Sequence, residues 1–285
     1  MESISRHYLL LDGAQIDDLM QTLYQLEPDL EFYRLYEGTR YAELAEAGPV
    51  LVATAESSAL SNYFKQHWSS TSGLSLYGPA CAGDLVQHLS SMVHVNVSGG
   101  AVVLFRFYDP RILPLWSADM DDQQRSIALG PVERFHVQTG GEWFSYASAA
   151  SSGVQCYADT PWLHLSEDQL VRLNQAKQEV YEQDLLKHVD TWFSDCLAKA
   201  SEQERLRWAR ACCAKATEYG FSGAMEIARW AGLVAICGPD FPEAEEHEPY
   251  RALLKQPGMQ PEQKLEALRM QVQQRVLGLN KDDAG

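Results

Sequence analysis

The chain of 285 residues is short of basic charge, poor in cysteine and free of long apolar runs. Twenty-three Lys and Arg stand against 39 Asp and Glu, a formal charge of −16 that repels nucleic-acid backbones and anionic membranes and suits a protein partner with basic patches. The deficit runs along the whole chain, since residues 1–150 hold 8 basic and 18 acidic groups and the remainder 15 and 21. The run from Asp240 to Glu248 reads as a solvated loop. Six cysteines, without CxxC spacing, are too few for a disulfide scaffold and read as reduced, mostly buried thiols of a cytoplasmic protein. No stretch approaches the roughly 18 apolar residues of a membrane helix, and the opening MESISRHYLLLDG is too short in apolar residues for a secretory signal.

Catalytic signatures are equally scarce. The sequence holds no Gly-x-Ser-x-Gly elbow, phosphate-binding loop or dinucleotide fingerprint. His88 and His94 fall on different elements, which argues against a metal site, and His136 alternates outward on its strand. Cys212-Cys213 reads as a mid-helix pair with one thiol toward the core. Asp17-Asp18 and Asp121-Asp122 sit near helix starts, where the helix dipole accounts for them. Trp143, Trp162, Trp192, Trp208 and Trp230 read as core or lobe-contact residues. Catalytic residues, metal and cofactor are accordingly expected to be none.

What is present is a change of period. Up to residue 150, short apolar runs (HYLLLD, FYRLY, VLVA, LSLY) alternate with helical patterns around Leu19–Leu23, Ala59–Trp68 and Asp84–Met92. VHVNV and AVVLF around Ser98-Gly99-Gly100 predict one hairpin, and VERFHV and EWFSYA around Thr139-Gly140-Gly141 a second. After the small-residue stretch 147–155 the spacing becomes helical throughout, from a capping box at Ser166 and Gln169 to a last helix opened by Pro261, with Leu265, Leu268, Val272, Val276 and Leu279 inward. The expected class is α+β or α/β: a mixed-sheet α/β lobe, 1–150, followed by an all-helical lobe, 155–285.

The densest cluster of charge and aromatics is AVVLFRFYDPRILPLW, residues 101–116. Alternation places Val103, Phe105 and Phe107 on one side and Leu104, Arg106 and Tyr108 on the other. Arg106 then needs a carboxylate to offset desolvation. Asp109 can accept the amide of Arg111 or Ile112, with Pro110 fixing the turn. The cluster reads either as a cap with a buried Arg–Asp pair that only ends the strand, or as a rigid turn from which Tyr108 and Arg111 project toward a partner; Pro114 removes an amide from the helix that follows.

YLLLDGA (8–14), LYEGTRYAELAEAGPVLV (35–52), LFRFYDPRIL (104–113) and LGPVERF (129–135) resemble, in order and spacing, a bacterial family catalogued as a domain of unknown function, DUF4123. The helical half is similar to the helical lobe of many members. The resemblance implies a non-enzymatic cytoplasmic adaptor, or chaperone, of type VI secretion effectors. Such an adaptor binds the effector's N-terminal region and helps load it on the valine-glycine-repeat (VgrG) spike. On the reading of the turn itself, partner contact is expected at Tyr108, Asp109 and Arg111, with Arg106 and Pro110 as structural support. Two other readings stay open: an α/β, hydrolase-like enzyme with a site built from distant residues, and an immunity protein.

Overall fold

The computed structural model describes residues 5–148 and 152–282, with side chains described up to 275. The expected inward positions Val276 and Leu279, the first four residues and residues 149–151 of the small-residue stretch lie outside that description. By its backbone contacts the chain divides into two units, Met1–Asn174 and Gln175–Gly285.

The first unit is built on β1 (Ser5–Asp12), whose run HYLLLD is apolar at consecutive positions because both faces of the strand are covered. Leu10 pairs with Leu51 of β3 (Pro49–Ala53) on one side and with Leu74 of β4 (Gly73–Pro79) on the other. The sheet is completed by β2 (Glu31–Arg34), β7 (Arg134–Thr139) and β8 (Glu142–Ala147) in the order β2-β3-β1-β4-β7-β8. Its ladders are antiparallel. The parallel contact among the described residues is the isolated bridge between Asn96 and His164. Leu9, Leu11, Val50 and Val52 face α1 (Leu19–Leu26) and α2 (Ala59–His67), where they pack with Leu23, Leu60 and Phe64. Tyr8, Leu10, Leu51, Leu76 and Phe135 face the larger core, which includes Leu85 and Leu89 of α3 (Ala82–Ser91). A second, two-stranded sheet joins β5 (His94–Asn96) to β6 (Val102–Leu104), the first expected hairpin. The second expected hairpin is β7–β8, turned at Gly140-Gly141.

Between the sheets run α4 (Leu113–Ser117) and α5 (Asp122–Leu129), the latter opened by a capping box of Asp121 with Gln124. The segment 155–165 follows β8 and crosses the first unit, and Leu163, Leu165 and Leu173 lie in its core. The border between the units thus falls later than the change of periodicity, inside α6 (Glu167–Trp192).

The second unit is helical: the rest of α6, then α7 (Glu202–Glu218), α8 (Ala224–Cys237), α9 (Glu248–Leu254) and α10 (Pro261–Asp282). Trp230 is its centre, with the rings of Tyr219, Phe221 and Phe241 at 5.6, 5.6 and 5.3 Å. Three expectations change here. Cys212 and Cys213 are both buried, since neighbouring helices cover α7 on more than one side, whereas Cys81, Cys156 and Cys196 are exposed. The acidic run from Asp240 is anchored by buried Phe241 and His247, so it is not a free solvated loop. Among the tryptophans, Trp143 and Trp192 are exposed.

Candidate partner-binding site

β6 ends at Leu104, and the chain then turns into the segment Arg106 to Arg111 at the end of the six-stranded sheet where β1 finishes and β3 and β4 begin. AVVLF does not form a buried strand: Val102, Val103 and Leu104 are exposed, and burial starts only at Phe105 and Phe107. Among the described residues, none covers Val102, Val103 and Leu104 to the extent the apolar run suggests.

Asp109 organises the turn. Its Oδ1 accepts the Arg111 backbone amide at 2.9 Å and Arg111 Nε at 2.8 Å, and its Oδ2 accepts Arg111 Nη2 at 2.6 Å. This is the expected Asx turn with a forked guanidinium–carboxylate pair added to it. The Asp109 carbonyl accepts the amides of Ile112 and Leu113, which starts α4. Pro114 falls in the first turn of α4, where the missing amide has no helical partner to lose, so the proline fits the helix. The Pro110 carbonyl accepts from Thr139 Oγ1 at 3.3 Å, tying the turn to the end of β7.

Arg106 meets the required carboxylate. Its Nη2 donates to Asp12 Oδ2, and Asp12, 1% exposed, also accepts the Ala14 amide at 3.1 Å. Burial pushes the Asp12 carboxyl above its ordinary range against the pull of Arg106. The Arg106 guanidinium lies 5.9 Å from the ring centroid of Tyr108, whose hydroxyl is 3.3 Å from that of Tyr36.

Tyr108 therefore departs from expectation. It is 2% exposed and points inward, because the segment has left the strand and its alternation. Burial raises its phenol far above the usual value, so it stays protonated at neutral pH. Arg111, with 34% of its side chain exposed, reaches the surface, as does part of the Arg106 guanidinium, 38% exposed. Asp12, Tyr36 and Gly48 were missed as partners, although each lies in one of the sequence stretches that carried the resemblance. A Cβ on Gly48 would stand 2.5 Å from Tyr36 Cδ2, and Gly13 donates its amide to the Gly48 carbonyl at 3.2 Å. Three separated motifs thus meet in one brace, in which Asp12, Arg106, Asp109 and Arg111 form two ion pairs and the Arg106 Nε is left buried without an acceptor.

A second set of polar groups holds segment 155–165. His88 Nε2 donates to the Ala128 carbonyl at 3.0 Å and its Nδ1 accepts the Gln155 amide at 3.2 Å. His94 Nε2 donates to the Ala158 carbonyl at 2.9 Å while its ring stacks on Tyr157. Trp162 Nε1 donates to Ser91 Oγ at 2.9 Å, and Asn96 exchanges backbone bonds with Leu163 and Leu165. Burial holds both imidazoles below 6.5 against the raising effect of the carbonyls they meet. A base with a lowered folded pKa contributes stability above 6.5 that is lost as pH falls toward the folded value, at up to about 1.4 kcal/mol per pH unit for each histidine. Urea midpoints should therefore drop between pH 7.5 and pH 5, and His88→Gln, which can keep the bond to Ala128, should flatten the drop. A profile unchanged by that variant would show that His88 is not the titrating group.

Residues 7–127 match the family model described as Domain of unknown function (DUF4123). The match contains the whole brace, from Asp12 through Tyr36 and Gly48 to Arg111, and ends before β7, segment 155–165 and the second unit. Over a longer span, the Accessory protein VasW of Vibrio cholerae is 23% identical across 278 residues, covering 94% of this chain and 88% of that protein. No solved structure matches. Among the described residues no helix is long and apolar enough to cross a membrane, and no group of three or more His, Cys, Asp or Glu could hold a metal ion.

Proposed function

We propose that this chain is a non-enzymatic cytoplasmic adaptor that binds a type VI secretion effector through the effector's N-terminal region and helps load it on the VgrG spike. The observation that carries the reading is the conjunction of the DUF4123 match over the brace with similarity along nearly the whole chain to a protein named as an accessory. The brace supports it: Asp12 with Arg106 and Asp109 with Arg111 are matched internally, so the rigid turn suits presentation of a surface more than proton transfer.

The direct test is co-purification of the tagged chain with the product of the adjacent effector gene, followed by secretion of that effector with and without the chain. Arg111→Ala is expected to weaken capture by about tenfold or more, in the range of a truncated interface arginine. Tyr108→Phe, which alters only a buried hydroxyl contact, is expected to leave capture unchanged. If folded Arg111→Ala retains full capture, the turn is not the contact. Protection of a target cell from the toxin, without any role in secretion, would favour the immunity reading.

A further inference from the structure

The order β2-β3-β1-β4-β7-β8 leaves β2 and β8 as the edges of the large sheet. β2 carries Glu31 and Arg34 within its four residues, the kind of charge that keeps natural sheet edges from pairing. β8 has no such guard. Its sequence, EWFSYA, holds one charge at its first position and neither lysine nor proline, and Trp143 and Phe144 stand 44% exposed on opposite faces.

The direction of its main-chain groups follows from the turn before it. Gly140 and Gly141, at φ +62° and +85°, make a two-residue turn that closes on the pair Thr139 and Glu142. From there the alternate pairs, Val137 with Phe144 and Phe135 with Tyr146, exchange their backbone bonds. Trp143, Ser145 and Ala147 therefore turn N–H and C=O away from β7. Among the described residues no strand meets that outer edge, so what it can bind is another extended backbone.

The strand supplies its own complement. With a second β8 laid antiparallel and Ser145 opposite Ser145, all three outward residues of each copy take hydrogen-bonded positions. Trp143 of each copy then stands opposite Ala147 of the other, the bulkiest side chain against the smallest. Phe144 and Tyr146 meet at the closer, non-bonded positions as an aromatic pair. Glu142 falls opposite Ser148 and not opposite itself, so the ladder sets no like charges together.

We propose that β8 seats a second copy of this chain, the two sheets joined edge to edge by a two-fold axis through Ser145. This goes beyond the adaptor reading and does not depend on it. Each chain has a net charge of −16, so the association should tighten as salt is raised.

The test uses the full chain in sedimentation equilibrium, with amide exchange read on the same samples. A concentration-dependent dimer is expected, and with it slower exchange of the outward Trp143 and Ser145 amides. Ser145→Pro removes an outward amide and no bond to β7, a place where an edge strand tolerates proline, so the variant should fold, as circular dichroism would check. It should weaken the dimer about tenfold or more, as should Trp143→Lys, which puts a guarding charge on the edge. A chain that stays monomeric at its highest soluble concentration would overturn the proposal, as would a dimer that both folded variants leave intact. Protection of Ser145 that arises only on adding the effector would also overturn it and give the edge to a partner's strand.

Discussion

Replacing Arg106 with methionine is expected to cost the fold about 2 kcal/mol at pH 7.5, measured by urea unfolding. Breaking a buried ion pair typically costs about 3–5 kcal/mol, discounted here because part of the guanidinium already meets solvent. The partner variant should behave differently. Asp12→Asn leaves the half-exposed Arg106 charge to water and can still accept the Ala14 amide, so about 1 kcal/mol is expected. The asymmetry follows from which charge is stranded: Arg106→Met leaves a carboxylate inside the protein. That orphan also sets a pH dependence. Without Arg106 the folded Asp12 pKa rises further, and an acid with a raised folded pKa penalises the fold only above its unfolded value of 3.8. The difference between Arg106→Met and the wild type should shrink as pH falls from 7.5 toward 4. If the two single variants cost the same and their difference ignores pH, Asp12 is not held as a buried anion by Arg106.

Gly130→Ala is expected to cost about 3 kcal/mol or more. Gly130 has φ +55°, a left-handed geometry worth about 1 kcal/mol to an alanine. The larger part is steric: the new Cβ would overlap the His88 ring, and His88 cannot swing aside without giving up the bonds to Ala128 and Gln155. The same variant should speed amide exchange at Gln155 and Leu165 before it affects β1, because the displaced ring is what holds that segment. Combining Gly130→Ala with His88→Ala should recover part of the loss, since the overlap disappears and only backbone strain and unmet polar groups persist. A loss below about 1 kcal/mol for the single variant would mean that the ring has room to move.

Much of the architecture was legible because it rests on local rules. Consecutive apolar residues in β1, alternation beside Gly-Gly turns and the Ser166–Gln169 box each specify their element within a few residues. The α+β class follows from these. Within the site, the Asx turn at Asp109 and the need of Arg106 for a carboxylate were readable, since both follow from a side chain's own chemistry. The identity of that carboxylate was not, because Asp12 lies 94 residues away and adjacency at the sheet end depends on topology. The orientation of Tyr108 failed for a related reason: strand alternation was extended past Leu104, where the strand stops. The exposure of Val102, Val103 and Leu104 was hidden too, since an apolar run does not say whether anything packs on it.

The placing of segment 155–165 bears on how the chain is made. Its contacts with His88, His94, Asn96 and Ser91 reach back more than sixty positions, and Leu163, Leu165 and Leu173 close a core begun at Tyr8. During vectorial synthesis the β-rich portion therefore waits for these last stitches, exposing its unfinished core while α6 is still being translated. Release of the nascent chain at residue 150, where the sequence period changes, would strand that portion incomplete; release beyond residue 174 would not.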